Sequence, residues 1–157
     1  MALFNDLKVG GQAPLFKVTD HRGNEIQLKE FTGKKVILYF YPKDMTPGCT
    51  AQACNLQENL SDLTAKNFVV IGVSADDEVR HEKFAAKYNL DFSLIADTDL
   101  SLIKQYGVWG HKKFMGKEYD GIHRTTFVID ENGVIEHIIE KPNTKNQTQQ
   151  ILDLYAK

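Results

Sequence analysis

The chain has 157 residues, and its 19 Lys and Arg against 21 Asp and Glu give a formal net charge of −2. This balance argues against nucleic acid as a partner, and no apolar run approaches the ~20 residues that span a bilayer, so no membrane partner is expected. The hydrophobic share of 42% is typical of a globular protein. Because the first ten residues also lack a signal-peptide pattern, we expect one cytoplasmic domain covering residues 1–157.

Strand patterns occur throughout the chain. Two hairpins are predicted, one around residues 21–24 near the N-terminus and one around Asn132-Gly133. Between them, continuous β-rich runs predict strands that are buried on both faces. The predicted strands cover residues 16–18, 26–28, 36–41, 68–73, 93–96, 127–129 and 134–139.

Helical patterns fill the gaps between these strands. Apolar spacings of three and four residues predict helices over about 47–65, 77–88, 100–106 and 148–155. The order of elements predicts an α/β fold, in which helices flank a mixed central sheet that follows an N-terminal β-hairpin.

Cys49 lies at the expected start of the first helix. Thr46 is a favourable N-cap residue, and Pro47 suits the first helical position because its missing N–H would have no partner there. Cys49 is then the third helical residue, where free backbone N–H groups and the helix dipole favour a thiolate. It also continues the apolar stripe of the helix, so its sulfur should face the sheet. Two interpretations stay open here, a reactive thiolate and a small buried core residue.

Cys54 follows five positions later. In a regular helix this spacing places the two Cα atoms about 8.7 Å apart, whereas a disulfide needs about 4.4–6.8 Å. A Cys49–Cys54 bond therefore requires local unwinding of the helix. The same spacing, together with scattered histidines, disfavours a zinc site, so we predict no metal.

The segment Pro42-x-x-x-Thr46-x-x-Cys49, which follows a hydrophobic strand, resembles the signature of the peroxiredoxins. Within that family the chain is similar to the peroxiredoxin Q subgroup, also called bacterioferritin comigratory protein. The similarity extends from about Gly11 to the last helix. Its supporting stretches are residues 46–54, 106–110, 114–117 and 121–124.

The resemblance implies a thioredoxin-like fold and a cysteine-based peroxidase. It implies that Cys49 is the peroxidatic cysteine and Cys54 the resolving one, that the Thr46 hydroxyl contacts peroxide and that Pro42 shields the pocket. Arg124 matches the arginine that stabilises the thiolate and polarises peroxide, although a lone arginine at a strand edge is otherwise a solvated charge. Gln52 stands where many peroxiredoxins carry glutamate, so no ionic role is assigned to it.

The implied substrates are hydrogen peroxide and organic hydroperoxides, and the implied reductant is thioredoxin or a similar protein. A cysteine sulfenic acid that condenses to a disulfide needs no flavin, haem or metal, so we expect no cofactor. We also expect a monomer, and we interpret Lys112 and Lys113 as solvated charges. Two other functions stay open, a thioredoxin-like disulfide reductase and a holdase or redox-sensing binding protein without turnover. The first of these usually carries Cys-x-x-Cys.

Overall fold

The computed structural model describes residues 3–156. The strands are β1 (Lys17–Thr19), β2 (Glu25–Gln27), β3 (Lys35–Phe40), β4 (Phe68–Ser74), β5 (Ser93–Ala96), β6 (Trp109–Phe114), β7 (Lys117–Ile122), β8 (Thr125–Ile129) and β9 (Ile135–Ile139). The helices are α1 (Pro47–Glu58), α2 (Leu60–Ala65), α3 (Glu78–Tyr88), α4 (Ser101–Gln105) and α5 (Gln147–Asp153), and a 3-10 turn covers Leu28–Phe31. Among the described helices, each is too short or too polar to form a membrane span.

A five-stranded mixed sheet with the order β5-β4-β3-β8-β9 forms the centre of the fold. Strands β3, β4 and β5 are parallel, while β8 runs antiparallel to β3 and β9 antiparallel to β8. β1 and β2 form the predicted N-terminal hairpin. The α/β class and the mixed sheet flanked by helices are thus confirmed.

Alternate side chains of β3 pack into two different cores, because successive residues of a strand point to opposite faces of the sheet. Leu38 and Phe40 belong to the core that includes α4, whereas Ile37 and Tyr39 belong to the core that includes residues of α1, α3 and α5. All four side chains are fully buried. The prediction that this strand is covered on both faces is therefore confirmed, and α1 lies directly against the sheet.

The prediction of a single helix over residues 47–65 is wrong, because the helix is interrupted at one residue. Asn59 has φ −106° and ψ 11°, which ends α1 and separates it from α2. Its side-chain amide donates to the Asn55 carbonyl oxygen at 2.8 Å, in place of the backbone bond that a continuing helix would make. This competition by a short polar side chain is why asparagine favours helix ends.

The segment between α4 and β8, for which the sequence predicts neither a strand nor a helix, contains a hairpin, β6–β7. Its turn is Met115-Gly116, and both residues have positive φ, 50° and 78°. This is the backbone geometry of the tight turns that connect hairpin strands. Most of the hairpin is exposed on both faces, so its sequence lacks the apolar alternation that identifies a half-buried strand.

Candidate active site

Helix α1 begins where the sequence predicts. Thr46 is the N-cap with extended backbone angles, φ −78° and ψ 152°, and its carbonyl oxygen accepts the first helical bond from the Thr50 N–H at 2.9 Å. Its hydroxyl does not cap the helix and instead donates to the Lys43 carbonyl oxygen at 2.9 Å. This bond uses the hydroxyl hydrogen, so the lone pairs of the oxygen stay available to accept a hydrogen bond.

Cys49 lies in the first turn of α1, with 1% of its surface exposed. Its Sγ accepts a hydrogen bond from Nη2 of Arg124 at 3.2 Å. Ala53 and Leu56 of the same helix are fully buried in the same core, so the stripe that was predicted to face the sheet does so. The sulfur is thus sheltered from bulk water and lies against a guanidinium cation.

Arg124 reaches this position because of strand register. It immediately precedes β8, whose first residue, Thr125, pairs with Phe40, the last residue of β3. The end of β3 and the start of β8 therefore meet at one edge of the sheet, where the loop that leads to α1 begins. Pro42 is half-buried in that loop. The predicted position of Arg124 at the start of an apolar strand is confirmed.

Gln52 is a site residue that sequence reasoning missed. It is fully buried, and its Oε1 accepts from Nη1 of Arg124 at 2.7 Å. Arg124 therefore donates to Gln52 with one nitrogen and to Cys49 with the other, which fixes the plane of its guanidinium. The signal in the sequence is the spacing of three between Cys49 and Gln52, because residues i and i+3 are neighbours on a helix surface. Gln52 therefore acts through hydrogen bonds of its neutral amide. No ionic role was assigned to it from the sequence.

A buried polar network holds the loop that precedes α1. One carboxylate oxygen of Asp44 accepts from the Tyr41 hydroxyl at 2.6 Å, and the other lies 2.6 Å from Nδ1 of His81, whose Nε2 is 2.9 Å from the Ile95 carbonyl oxygen. The backbone N–H of Asp44 donates to Asp76 at 2.8 Å. Burial raises the pKa of the Tyr41 hydroxyl well above its ordinary value, and the stacked Tyr39 and the Asp44 carboxylate raise it further.

This network also contains a candidate cation site. Within the described part of the chain, Asp44, Asp76 and His81 form the one group whose ligand atoms converge, all within 4.8 Å of one another. Asp76 accepts from the Ser74 hydroxyl at 2.7 Å and from Nε of Arg80 at 2.9 Å. Since these groups are already engaged with protein donors and acceptors, the cluster acts as an anchor that ties the active-site loop to α3.

Lys112, interpreted from the sequence as a solvated charge, is half-buried. Its Nζ donates to the Ile122 carbonyl oxygen at 2.7 Å, two residues before Arg124. Burial and then the charge of Arg124 lower the pKa of Lys112, while the charge of Cys49 raises it. The β6–β7 hairpin therefore brings a second cation toward the side of the site that holds Arg124 and Cys49, which the local sequence could not indicate.

Cys54 is not brought together with Cys49. Both cysteines are free thiols, both belong to α1, and Cys54 is half-buried. Burial and, to a lesser degree, the charge of Glu58 raise the pKa of the Cys54 thiol. The arrangement thus presents one sheltered sulfur beside a cation and a second sulfur that favours its protonated form. This arrangement favours Cys49 as the sulfur that attacks an electrophile, while Cys54 stays a protonated thiol.

Comparison with known proteins agrees with this geometry. Residues 9–138 match the AhpC/TSA family. The chain is 46% identical over 149 residues to Peroxiredoxin Bcp of Escherichia coli K12, covering 95% of this chain and 96% of the relative. It is 39% identical over 146 residues to Peroxiredoxin Bcp of Bacillus subtilis 168, covering 93% of each. Peroxiredoxin Q of Xanthomonas campestris superposes with a TM-score of 0.82 at 29% identity over 88% of each chain. This chain therefore belongs to the AhpC/TSA family, as a thioredoxin-fold peroxiredoxin of the Q/Bcp group.

Proposed function

We propose that Cys49 is the nucleophile of this thiol-dependent peroxidase. The Cys49 thiolate attacks the nearer oxygen of a hydroperoxide, the O–O bond breaks, and the leaving oxygen takes a proton to become water or an alcohol. Cys49 is left as a sulfenic acid. The observation that carries this proposal is the 3.2 Å hydrogen bond from Arg124 to the Cys49 sulfur.

The residues around the sulfur are those that such a reaction needs. Negative charge develops on both oxygens in the transition state, and fixed donors lower its energy. We assign this part to the Arg124 guanidinium and to the backbone N–H groups at the start of α1. The Thr46 hydroxyl oxygen is assigned to accept a hydrogen bond from the peroxide, and Pro42 to keep bulk water away from the sulfur.

Cys54 is proposed to resolve the sulfenic acid. Its thiol condenses with the Cys49 sulfenic acid to form an intramolecular disulfide, and the thiol hydrogen leaves with the sulfenic hydroxyl as water. Regular α1 geometry separates the Cα atoms by about 8.7 Å, so the helix must unwind around residues 46–55 first. Unwinding also moves Cys54 away from Glu58 and into water, which removes both causes of its raised pKa.

The disulfide is then reduced by thiol–disulfide exchange with a thioredoxin-like protein, which supplies two electrons and two protons. Because both cysteines are on one chain, the cycle needs a monomer only. Hydrogen peroxide and organic hydroperoxides are the proposed substrates.

The test is NADPH oxidation with thioredoxin and thioredoxin reductase, measured with hydrogen peroxide and with a bulky organic hydroperoxide. We expect turnover with both peroxides, and much less when glutathione and glutaredoxin replace the thioredoxin system. Absence of turnover with every peroxide would contradict the proposal. Reduction of insulin disulfides in that case would identify a disulfide reductase, and suppression of protein aggregation alone would identify a holdase.

Gly48 gives the contact between Arg124 and Cys49 a test of its own. A Cβ at this position would lie 3.2 Å from Nη2 of Arg124, the same nitrogen that donates to Cys49. Gly48→Ala should therefore displace the guanidinium and slow peroxide attack by about fivefold, the value of one hydrogen bond. Alanine also favours the helix more than glycine does, so the melting temperature should not fall. Stopped-flow kinetics and thermal melting measure the two effects, and attack at the wild-type rate would show that Arg124 can shift without loss.

A further inference from the structure

The start of α5 and the segment that leads into it are hydrogen-bonded to the C-terminal half of α1. Oδ1 of Asn55 accepts from the Thr148 backbone N–H at 2.8 Å, and Nδ2 of Asn55 donates to the Lys145 carbonyl oxygen at 3.2 Å. The Thr148 hydroxyl donates to the Asn55 carbonyl oxygen at 3.3 Å. Asn55, directly after Cys54, thus makes three hydrogen bonds across to the segment that leads into α5.

A second set of bonds links α5 to Gln52, which in turn accepts a hydrogen bond from Arg124. Nε2 of Gln52 donates to Oε1 of Gln147 at 2.8 Å, and the Thr126 hydroxyl donates to the same oxygen at 2.7 Å. Gln52 and Gln147 are both fully buried. Because the Gln52 amide donates to Gln147, its carbonyl oxygen is directed toward Arg124. The orientation of Arg124 therefore depends on a residue of α5.

These contacts fall on the part of α1 that has to unwind. Gln52 and Asn55 lie on either side of Cys54, and the fully buried Leu56 comes directly after them. α5 is anchored separately, since Ile151 is fully buried and the ring of Tyr155, two residues after the helix ends, contacts Phe68 with centroids 5.8 Å apart. The polar bonds between the two helices can consequently break while α5 stays in place.

We propose that these bonds, Gln147 to Gln52 and Asn55 to Thr148 and Lys145, form a latch. The α5 latch holds α1 in the form that reacts with peroxide, with Gln147 as a positioning residue that acts on Arg124 through Gln52. Its opening limits the rate at which Cys54 reaches the Cys49 sulfenic acid. The inference rests on the proposed function, because it concerns the step between the sulfenic acid and the disulfide.

The latch also sets how readily the enzyme is overoxidised. Before Cys54 arrives, the Cys49 sulfenic acid can react with a second peroxide, which oxidises the sulfur to sulfinic acid and is itself reduced to water or an alcohol. The two reactions compete for the same intermediate. A weaker latch raises the population of the unwound form, so it favours the disulfide and lowers the sulfinic acid yield.

Asn55→Ala tests the latch, with Gln149→Ala as the matched control. Gln149 is exposed on α5 and its side chain donates to Asp153 at 2.7 Å, on the same helix. In Asn55→Ala we expect disulfide formation about fivefold faster, the factor expected for an ordinary hydrogen bond. Mass spectrometry should show a lower sulfinic acid yield at each peroxide concentration. Hydrogen exchange of the reduced protein should show lower protection over residues 49–55, and Gln149→Ala should match the wild type.

Two further variants separate the latch from a general loss of stability. Thr148→Val keeps both side-chain bonds of Asn55 and removes only the hydroxyl that donates to the Asn55 carbonyl oxygen, so its disulfide rate should lie between those of the wild type and Asn55→Ala. Gln147→Met keeps the size of the side chain and removes the acceptor for Gln52. It should slow peroxide attack and accelerate disulfide formation, a split that uniform destabilisation would not produce.

Wild-type disulfide rates in both Asn55→Ala and Gln147→Met would overturn the latch, while leaving the proposed function intact. If the wild-type protein formed no Cys49–Cys54 disulfide after peroxide treatment, the proposed function itself would fail. Unchanged hydrogen exchange over residues 49–55 in Asn55→Ala would likewise count against the latch.

Discussion

Replacing Cys49 by serine should abolish peroxide reduction, whereas replacing Cys54 by serine should preserve one fast turnover. The thiolate is the nucleophile, and Cys49 is the cysteine whose sulfur accepts a hydrogen bond from Arg124. We expect Cys49→Ser to lower the rate of attack by at least about a thousandfold, as the loss of a covalent nucleophile does in other enzymes. Cys54→Ser should react at the wild-type rate and accumulate a sulfenic acid, because only the second step is blocked.

Single-turnover stopped-flow kinetics measures the attack, and trapping with dimedone followed by mass spectrometry identifies the sulfenic acid. Ala51→Ser, which places a hydroxyl on the same helix between the two cysteines, is the matched control and should retain both steps. Rapid reaction of Cys49→Ser together with an inert Cys54→Ser would reverse the assigned roles. Full steady-state turnover by Cys54→Ser would mean that Cys54 is not required for resolution.

Local sequence patterns are sufficient to predict most of this fold. The run predicted as a strand over 36–41 is β3, Lys35–Phe40, and the run 93–96 coincides with β5. Both are continuous apolar segments bounded by turn residues. This pattern is typical of a strand that is buried on both faces of a sheet. The start of α1 could be predicted equally well, because Thr46 and Pro47 favour a helix N-terminus through their own backbone and side-chain chemistry.

The errors occur where long-range contacts decide the outcome. Most side chains of the β6–β7 hairpin are exposed to solvent, so neither face carries an apolar pattern. Gln52 looks like an ordinary polar residue of a helix surface until Gln147, 95 positions later, packs against it. In the same way, the pairing of Asp44 with His81 joins a loop to a helix, and no local spacing indicates it.

The candidate site was predictable to the extent that it lies on one segment. Cys49 and Thr46 belong to a single strand–loop–helix unit, whose geometry follows from helix capping. Arg124 was found through the resemblance to the peroxiredoxins, because a lone arginine at a strand edge carries no signal of its own. The sheet register that pairs β8 with β3 is what places Arg124 beside the sulfur.

Arg124 is the residue whose loss should cost most after Cys49. Arg124→Ala should slow peroxide attack by at least about a hundredfold, comparable to the loss of one donor from an oxyanion hole. The expected cause is that Cys49 loses the cation 3.2 Å from its sulfur and the developing charge on the peroxide oxygens loses a fixed donor. Arg124→Lys should recover only part of the rate. A single ammonium group lacks the planar fork that lets Arg124 donate to Gln52 and to Cys49 at the same time.

Arg22→Ala is the matched control, since it removes one positive charge from a guanidinium that donates to the Leu90 carbonyl oxygen at 3.0 Å, outside the candidate site. Its attack rate should equal that of the wild type if the effect at Arg124 is local. An equal loss in both variants would point to the overall charge of the protein instead. Single-turnover rates over a range of salt concentrations distinguish these cases, because a sheltered ion pair is screened far less than an exposed charge. A folded Arg124→Ala protein that attacks peroxide at the wild-type rate would remove Arg124 from the mechanism and leave the helix N-terminus as the principal source of thiolate stabilisation.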